Sequence, residues 1–283
     1  MNERKEAVSS EQQVELSSVH RTALFAAALR AAHTLSDARP KIFNDELALP
    51  FSNMSAEQVK ALARDVPPES ASSCELRSRY TEDRLAAARG RLDQYVVLGA
   101  GADSYALRMG SKLGDLTVFE VDDPTFLAWK RQRIRELGLK EPEQLRFTPC
   151  DFETTSVADA LAAAGFDAAR PCFISWLGVT QYLTPEATAQ TLRWAGQCAP
   201  GSEIVLTFQD ENARSAAVGK KMAEGGVTSL THFLPEDMLA LLRSSGFTQI
   251  DYLPPEIANE RYFRDRADGL RAPMVQHLVS ATI

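Results

Sequence analysis

From Gln94 onward, short runs of β-branched and aromatic residues alternate with stretches of helical character, and this alternation restricts the chain to few folds. Seven runs stand out: Tyr95 to Leu98, Thr117 to Val121, Leu145 to Thr148, Cys172 to Leu177, Glu203 to Phe208, Thr248 to Tyr252 and Val275 to Ala281. Strands joined by crossover helices pair in parallel, because a parallel pair needs a long connection and an antiparallel pair does not. The helix predicted over Pro124 to Leu137 has Asp123 as its cap, Pro124 in its first turn and Gly138 as its stop. Thr184-Pro185 opens another that Gly196 closes, and a third over Pro235 to Ser245 places Met238, Leu241 and Leu242 on one face before Gly246. The last two runs are separated by Pro254 to Pro273, read as a loop, which leaves them free to pair antiparallel.

Ahead of the first run the texture is helical. Val19 to Leu35 is rich in alanine, Pro40 closes it, and further helices broken at Pro50 and Pro67-Pro68 lead to Leu92. The 283 residues suit one elaborated domain, 1–283, with a helical cap over about 16–92 and an α/β core over about 94–283. Residues 209–234, with Gly225-Gly226, are long for a strand-to-helix connection and are expected to form a lid. Thirty-one basic against 38 acidic side chains give a net charge of −7, which repels nucleic acid and anionic membranes. The polar start and the absence of a run of ~20 apolar residues predict a cytoplasmic protein. Four widely spaced cysteines and four histidines, with no C-x-x-C pair, predict reduced thiols and no metal site.

Chemistry is concentrated at the ends of the first runs. Val96-Val97-Leu98-Gly99-Ala100-Gly101-Ala102-Asp103-Ser104 takes a buried strand straight into two glycines and a helix, where a nucleotide lies in an open α/β sheet. Ser104 stands where a dinucleotide fingerprint has its third glycine, and an ordinary tight turn also accounts for these residues. Val118-Phe119-Glu120-Val121-Asp122 then ends the next strand on a carboxylate about twenty residues later, the place of an acid that accepts from two ribose hydroxyls. Asp122 and Asp123 are equally the residue types that cap the following helix. After the third run, Asp151 can accept from an adenine amino group with Phe152 along the ring; an exposed loop aspartate is the alternative. The expected fold class is α/β: a Rossmann-like, seven-stranded, mostly parallel sheet with one antiparallel strand, helices on both faces, and the N-terminal helical cap.

Val96 to Met109, Val118 to Pro124 and Phe173 to Glu186, in that order, resemble the leucine carboxyl methyltransferase family, in its bacterial branch of S-adenosylmethionine-dependent O-methyltransferases. The resemblance runs from about Thr22 onward and includes Arg77-Ser78-Arg79 and Glu260-Arg261-Tyr262-Phe263-Arg264. It implies S-adenosylmethionine as methyl donor and S-adenosylhomocysteine as product. By the same resemblance Gly99 and Gly101 lie along the methionine part, Asp122 at the ribose, and Asp151 and Phe152 at the adenine, with Ala100 and Asp103 also binding the cofactor. Arg77 would pair with the donor's carboxylate, a task for a forked guanidinium. Many relatives carry a glutamate where this chain has Leu177, so any contact of that acid is absent; Trp176 is expected to supply an apolar wall instead.

The implied reaction transfers a methyl group to an oxygen of a small molecule, with a carboxylate favoured over a phenol or alcohol. A carboxylate, of pKa near ~4, is already ionised and needs no base. A hydroxyl acceptor needs one, for which His232 is the first candidate, and Tyr182 is a candidate contact on the acceptor side. Tyr262, Arg264 and Arg266 are candidate acceptor ligands, Arg271 being a further cation in the same loop. A nicotinamide-dependent oxidoreductase and a non-catalytic cofactor-binding module are the competing readings.

Overall fold

The computed structural model describes residues 15–66, 72–210, 220, 223–224, 226–274 and 276–283. Seven strands form one sheet in the order β3-β2-β1-β4-β5-β7-β6. They are β1 (Gln94–Leu98), β2 (Thr117–Asp122), β3 (Leu145–Pro149), β4 (Cys172–Trp176), β5 (Glu203–Gln209), β6 (Gln249–Leu253) and β7 (Gln276–Thr282). Every run expected from sequence is a strand, with ends displaced by at most one residue; Val275 lies outside the described residues. β1 pairs parallel with β2 and β4, β2 with β3 and β4 with β5, whereas β7 pairs antiparallel with both β5 and β6.

The sheet is covered on both faces because its strands alternate between two apolar layers. Val96, Leu98, Ile174, Trp176, Ile204 and Leu206 point to one layer; Tyr95, Val97, Phe173 and Val205 point to the other. Among the described residues four helices precede β1: α1 (Ser18–Ser36), α2 (Ala48–Ser52), α3 (Ala56–Arg64) and α4 (Ser73–Ala88). Then come α5 (Tyr105–Met109), α6 (Pro124–Glu136), α7 (Val157–Ala163), α8 (Pro185–Ala195), α9 (Pro235–Ser244) and α10 (Pro255–Tyr262). The helix α10 corrects the reading of 254–273 as loop alone. Its sequence, PEIANERY, buries only Ala258, so it has no apolar stripe to announce it, and Pro254 and Pro255 start it where a missing N–H costs nothing.

Under β2 lies a fully buried ion pair, Lys130 Nζ of α6 to Glu120 Oε2 at 2.5 Å. Burial pushes the Glu120 carboxyl up to about 7 against the pull of Lys130. Among the described residues no helix is long and apolar enough to cross a membrane.

Candidate active site

The carboxyl ends of β1, β2 and β4 are level, since Leu98 pairs with both Val121 and Trp176. Beyond them a cavity of about 950 Å³ opens, roofed by α1 and walled by α4. That volume is at the upper end of the range for ligand sites, ~300–1,000 Å³. Its floor is the turn after β1. Gly99 and Gly101 have φ of +64° and +48°, a region that side chains disfavour. The space they leave is used by protein: a Cβ on Gly99 would lie 2.3 Å from Val179 Cγ2, and one on Gly101 would lie 2.9 Å from Ala23 Cβ of α1. The turn is tied to β2 by Ala100 N donating to Val121 O at 3.0 Å.

Asp122 and Asp123 take separate roles. Asp123 caps α6, its Oδ1 accepting from Thr125 N at 2.8 Å and Phe126 N at 3.3 Å. Asp122 turns instead to the cavity, with Oδ2 accepting from Gly101 N at 2.5 Å and Oδ1 from Asp123 N at 2.7 Å. Burial raises its pKa, and those two amides oppose the rise. A carboxylate oxygen has more than one lone pair, so each can still accept from a ligand hydroxyl.

Arg77 of α4 lies on the cavity wall, half-buried, with no hydrogen bond or ion pair among the described residues. Gly178, φ +72°, makes room for it, for a Cβ there would fall 2.3 Å from Arg77 Nη1. Asp151 is exposed at the cavity edge; its Oδ1 accepts from Glu153 N at 3.0 Å and its Oδ2 from Thr154 Oγ1 at 2.8 Å. Phe152 is half-buried beside it and packs on the core. Asp103 and Tyr182 also line the cavity, and the Tyr182 hydroxyl has no partner among the described residues. An unpaired guanidinium, a carboxylate with spare lone pairs and an aromatic ring around one cavity fit a ligand that carries a carboxylate, vicinal hydroxyls and a flat base.

Five expected residues are elsewhere. Trp176 is wholly buried on the core layer with Leu98 and Ile174, because strand alternation sends Ser175 and Leu177, not Trp176, to the cavity. His232 is off the cavity wall, its Nε2 3.3 Å from Ser229 Oγ. Formation of α10 carries the other three away. Tyr262 donates to Asp83 Oδ2 at 3.2 Å, and exposed Arg264 pairs with Glu260 at 2.8 Å. Arg266 pairs with Asp268 and donates to the carbonyls of Pro40, at 2.7 Å, and Ala38, at 3.2 Å. Arg271, the further cation, donates to Leu270 O at 3.1 Å.

The helical cap is expected from sequence, but the residues by which it roofs the site are not. His20, Phe25, Leu29 and Arg30 of α1 line the cavity, and His20 Nε2 lies 3.3 Å from Asp123 Oδ1. The small residue Ala23 is what lets α1 approach Gly101, and the alanine-rich stretch was its only trace in the sequence. Gln209 and Gln276, cross-strand partners at the ends of β5 and β7, form another unforeseen part of the wall. Among the described residues no group of three or more His, Cys, Asp or Glu is placed to hold a metal ion.

The chain is similar to known proteins. The profile of the leucine carboxyl methyltransferase family matches residues 23–196. A Bacillus subtilis (strain 168) protein provisionally named an S-adenosyl-L-methionine-dependent methyltransferase, YktD, is 32% identical over 252 residues, covering 84% of this chain and 81% of its own length. A similarly named protein of Mycolicibacterium gilvum (strain PYR-GCK) is 33% identical over 234 residues, 75% of this chain and 74% of that protein. In fold alone the chain is similar to a DUF574 family protein of Streptomyces avermitilis, with TM-score 0.57 at 14% identity over 91% of this chain and 96% of that one. A Thermobifida fusca structure titled a methyltransferase gives TM-score 0.56 at 16% identity over 91% and 93%. With the profile matching more than half of its length and a relative above 30% identity along most of both chains, this chain belongs to the leucine carboxyl methyltransferase family and is an S-adenosylmethionine-dependent methyltransferase.

Proposed function

We propose that the enzyme methylates a carboxylate oxygen of a small molecule held in the cavity beside the donor. The observation that carries this reading is the state of the ionisable groups lining the cavity. His20, the sole histidine among the described lining residues, has its Nδ1 accepting from Ser17 N at 3.3 Å and its Nε2 on Asp123 at 3.3 Å. Asp103, Asp122, Asp123 and Asp151 each accept from backbone amides. Those carboxylates are engaged by backbone and the one lining histidine has both ring nitrogens partnered, so the described wall offers no free imidazole base and suits an acceptor with no proton to lose. Family membership sets the nicotinamide reading aside.

In this reading Arg77 holds the donor's carboxylate, Gly99, Ala100, Gly101 and Asp103 lie along its methionine chain, Asp122 holds the ribose, and Asp151 with Phe152 holds the adenine. The bound donor supplies an electrophilic methyl group on a cationic sulfonium. Phe25, Leu29, Leu177 and Val179 keep water from that centre, and Tyr182 is placed to orient the acceptor. The same reading takes 1–283 as one domain with 16–92 covering the site and 209–234 closing over it. Of that lid, 211–219, 221, 222 and 225 lie outside the described residues; Val227 reaches the cavity, and Leu230 N donates to Gln181 O at 2.7 Å.

The test is to incubate the enzyme with labelled donor and a panel of carboxylic acids and phenols. The expected product is a methyl ester cleaved by mild alkali. An alkali-stable ether as the product would replace the carboxylate with a hydroxyl.

A further inference from the structure

Next to the glycine turn, a buried charge network joins the N-terminal helices to the core. Asp45, 1% exposed and outside the cavity lining, sits between two arginines. Arg30 Nε of α1 donates to its Oδ2 at 2.9 Å, and Arg108 Nε of α5 lies 3.6 Å from its Oδ1. The two arginines pull the Asp45 carboxyl below its ordinary range despite burial. Each then grips the chain just past Gly101 at a different point. Arg30 Nη2 donates to Ala102 O at 2.7 Å, and Arg108 Nε donates to Ser104 Oγ at 2.9 Å; Arg108 also contacts Glu82.

Between the two gripped residues is Asp103, whose carboxylate lines the cavity and whose Oδ1 accepts from Tyr105 N at 2.8 Å. On its other side the turn is held by Asp122, through Gly101 N. Residues 99–104 are thus clamped from both ends, once by the sheet and once by an acid 58 positions before Asp103 in the chain.

We propose that Asp45 is a positioning residue for methyl-donor binding: it keys Arg30 and Arg108 onto Ala102 and Ser104, and so fixes the glycine turn with Asp103 facing the cavity. Without the acid, the two cations lose their common counter-charge; Arg108 keeps Glu82, and Asp103, beside the carbonyl that Arg30 grips, becomes the alternative partner for Arg30. The donor site then loses a carboxylate while the rest of its wall stands. The proposal rests on the cavity being the donor site.

The experiment compares Asp45→Asn, Arg108→Gln and Asp122→Ala by calorimetric titration with S-adenosylhomocysteine, alongside thermal unfolding without ligand. In folded Asp45→Asn the affinity is expected to fall on the order of tenfold, as for loss of one charge-assisted contact. The acceptor KM, measured at saturating donor, should hold while the donor KM rises. A variant that unfolds earlier but binds as the parent does, well below its unfolding temperature, overturns the proposal. Breaking a buried pair is costly, so if Asp45→Asn does not fold, Arg108→Gln removes one jaw and is judged by the same two outcomes. If Asp122→Ala also binds normally, the donor-site reading itself fails; if only Asp122→Ala weakens binding, the cavity stands and the clamp falls.

Discussion

Replacing Asp122 by alanine removes the carboxylate that the proposed site aims at the donor's ribose, and the structure separates two costs. The first is to ligand binding. Hydrogen bonds to a charged acceptor contribute ~1.5–3 kcal/mol, so at ~1.4 kcal/mol per decade S-adenosylhomocysteine should bind roughly tenfold to a hundredfold more weakly. The second is to the protein, because Gly101 N and Asp123 N lose their acceptor and each half-buried amide left unmet costs ~1–3 kcal/mol. Calorimetry at 25 °C reads the first and thermal unfolding of the unliganded variant reads the second. Linkage offers a check: ligand at ~100 times the parent's Kd stabilises the parent by ~2.7 kcal/mol, but a variant with Kd raised ~30-fold by only ~0.9 kcal/mol. Unchanged affinity with lowered stability would refute the ribose role and leave Asp122 as a brace for two backbone amides.

Gly178→Ala should expel Arg77, since the new Cβ would lie 2.3 Å from Nη1; affinity for S-adenosylhomocysteine is expected to fall about tenfold, while titration with 5′-methylthioadenosine, which lacks the amino-acid part, should show no change. Glu75 is buried with both carboxyl oxygens unpartnered, and burial raises it from its ordinary 4.5 to about 8. The folded state therefore keeps a proton that the unfolded chain releases, so stability falls as pH rises from 4.5 to 8, and Glu75→Gln should flatten urea-unfolding stability across that window and raise it at pH 8 by a few kcal/mol. Lys130→Met strands the Glu120 carboxyl and should cost ~3–5 kcal/mol in urea unfolding, most of it recovered in the double variant with Glu120→Leu.

The sheet was legible because its central strands are buried on both faces and read as largely apolar, β-branched and aromatic runs; β1, β4 and β5 are buried at every position. The same property hid which way Trp176 points, for a strand apolar on both faces carries no parity signal. The division of labour between Asp122 and Asp123 was legible through Pro124, which marks the first turn of α6 and so names its cap. Tyr262, Arg264 and Arg266 lie at or beside a motif of the family resemblance, and a carboxylate acceptor wants a nearby cation, but their distance from the cavity depends on α10, whose single buried residue gives no periodicity. The roof depends on tertiary contact: nothing in the alanines of α1 says that Ala23 meets Gly101. The Asp45 clamp spans residues 30–108 and is visible only once the chain is folded.

The placement of β7 between β5 and β6 governs the life of the chain during synthesis. β5 is seven residues long and buried at every position, and β7, which follows every other strand in chain order, alone covers the ladder of N–H and C=O groups on that side of it. As the polypeptide leaves the ribosome, that ladder is therefore an open, apolar edge, the kind of template that pairs with a neighbouring nascent chain. No helix or loop made earlier can substitute, because only an extended segment of matching register satisfies seven residues of backbone at once. The interval in which this edge stands open runs from the making of β5 to the arrival of β7, the strand that closes it.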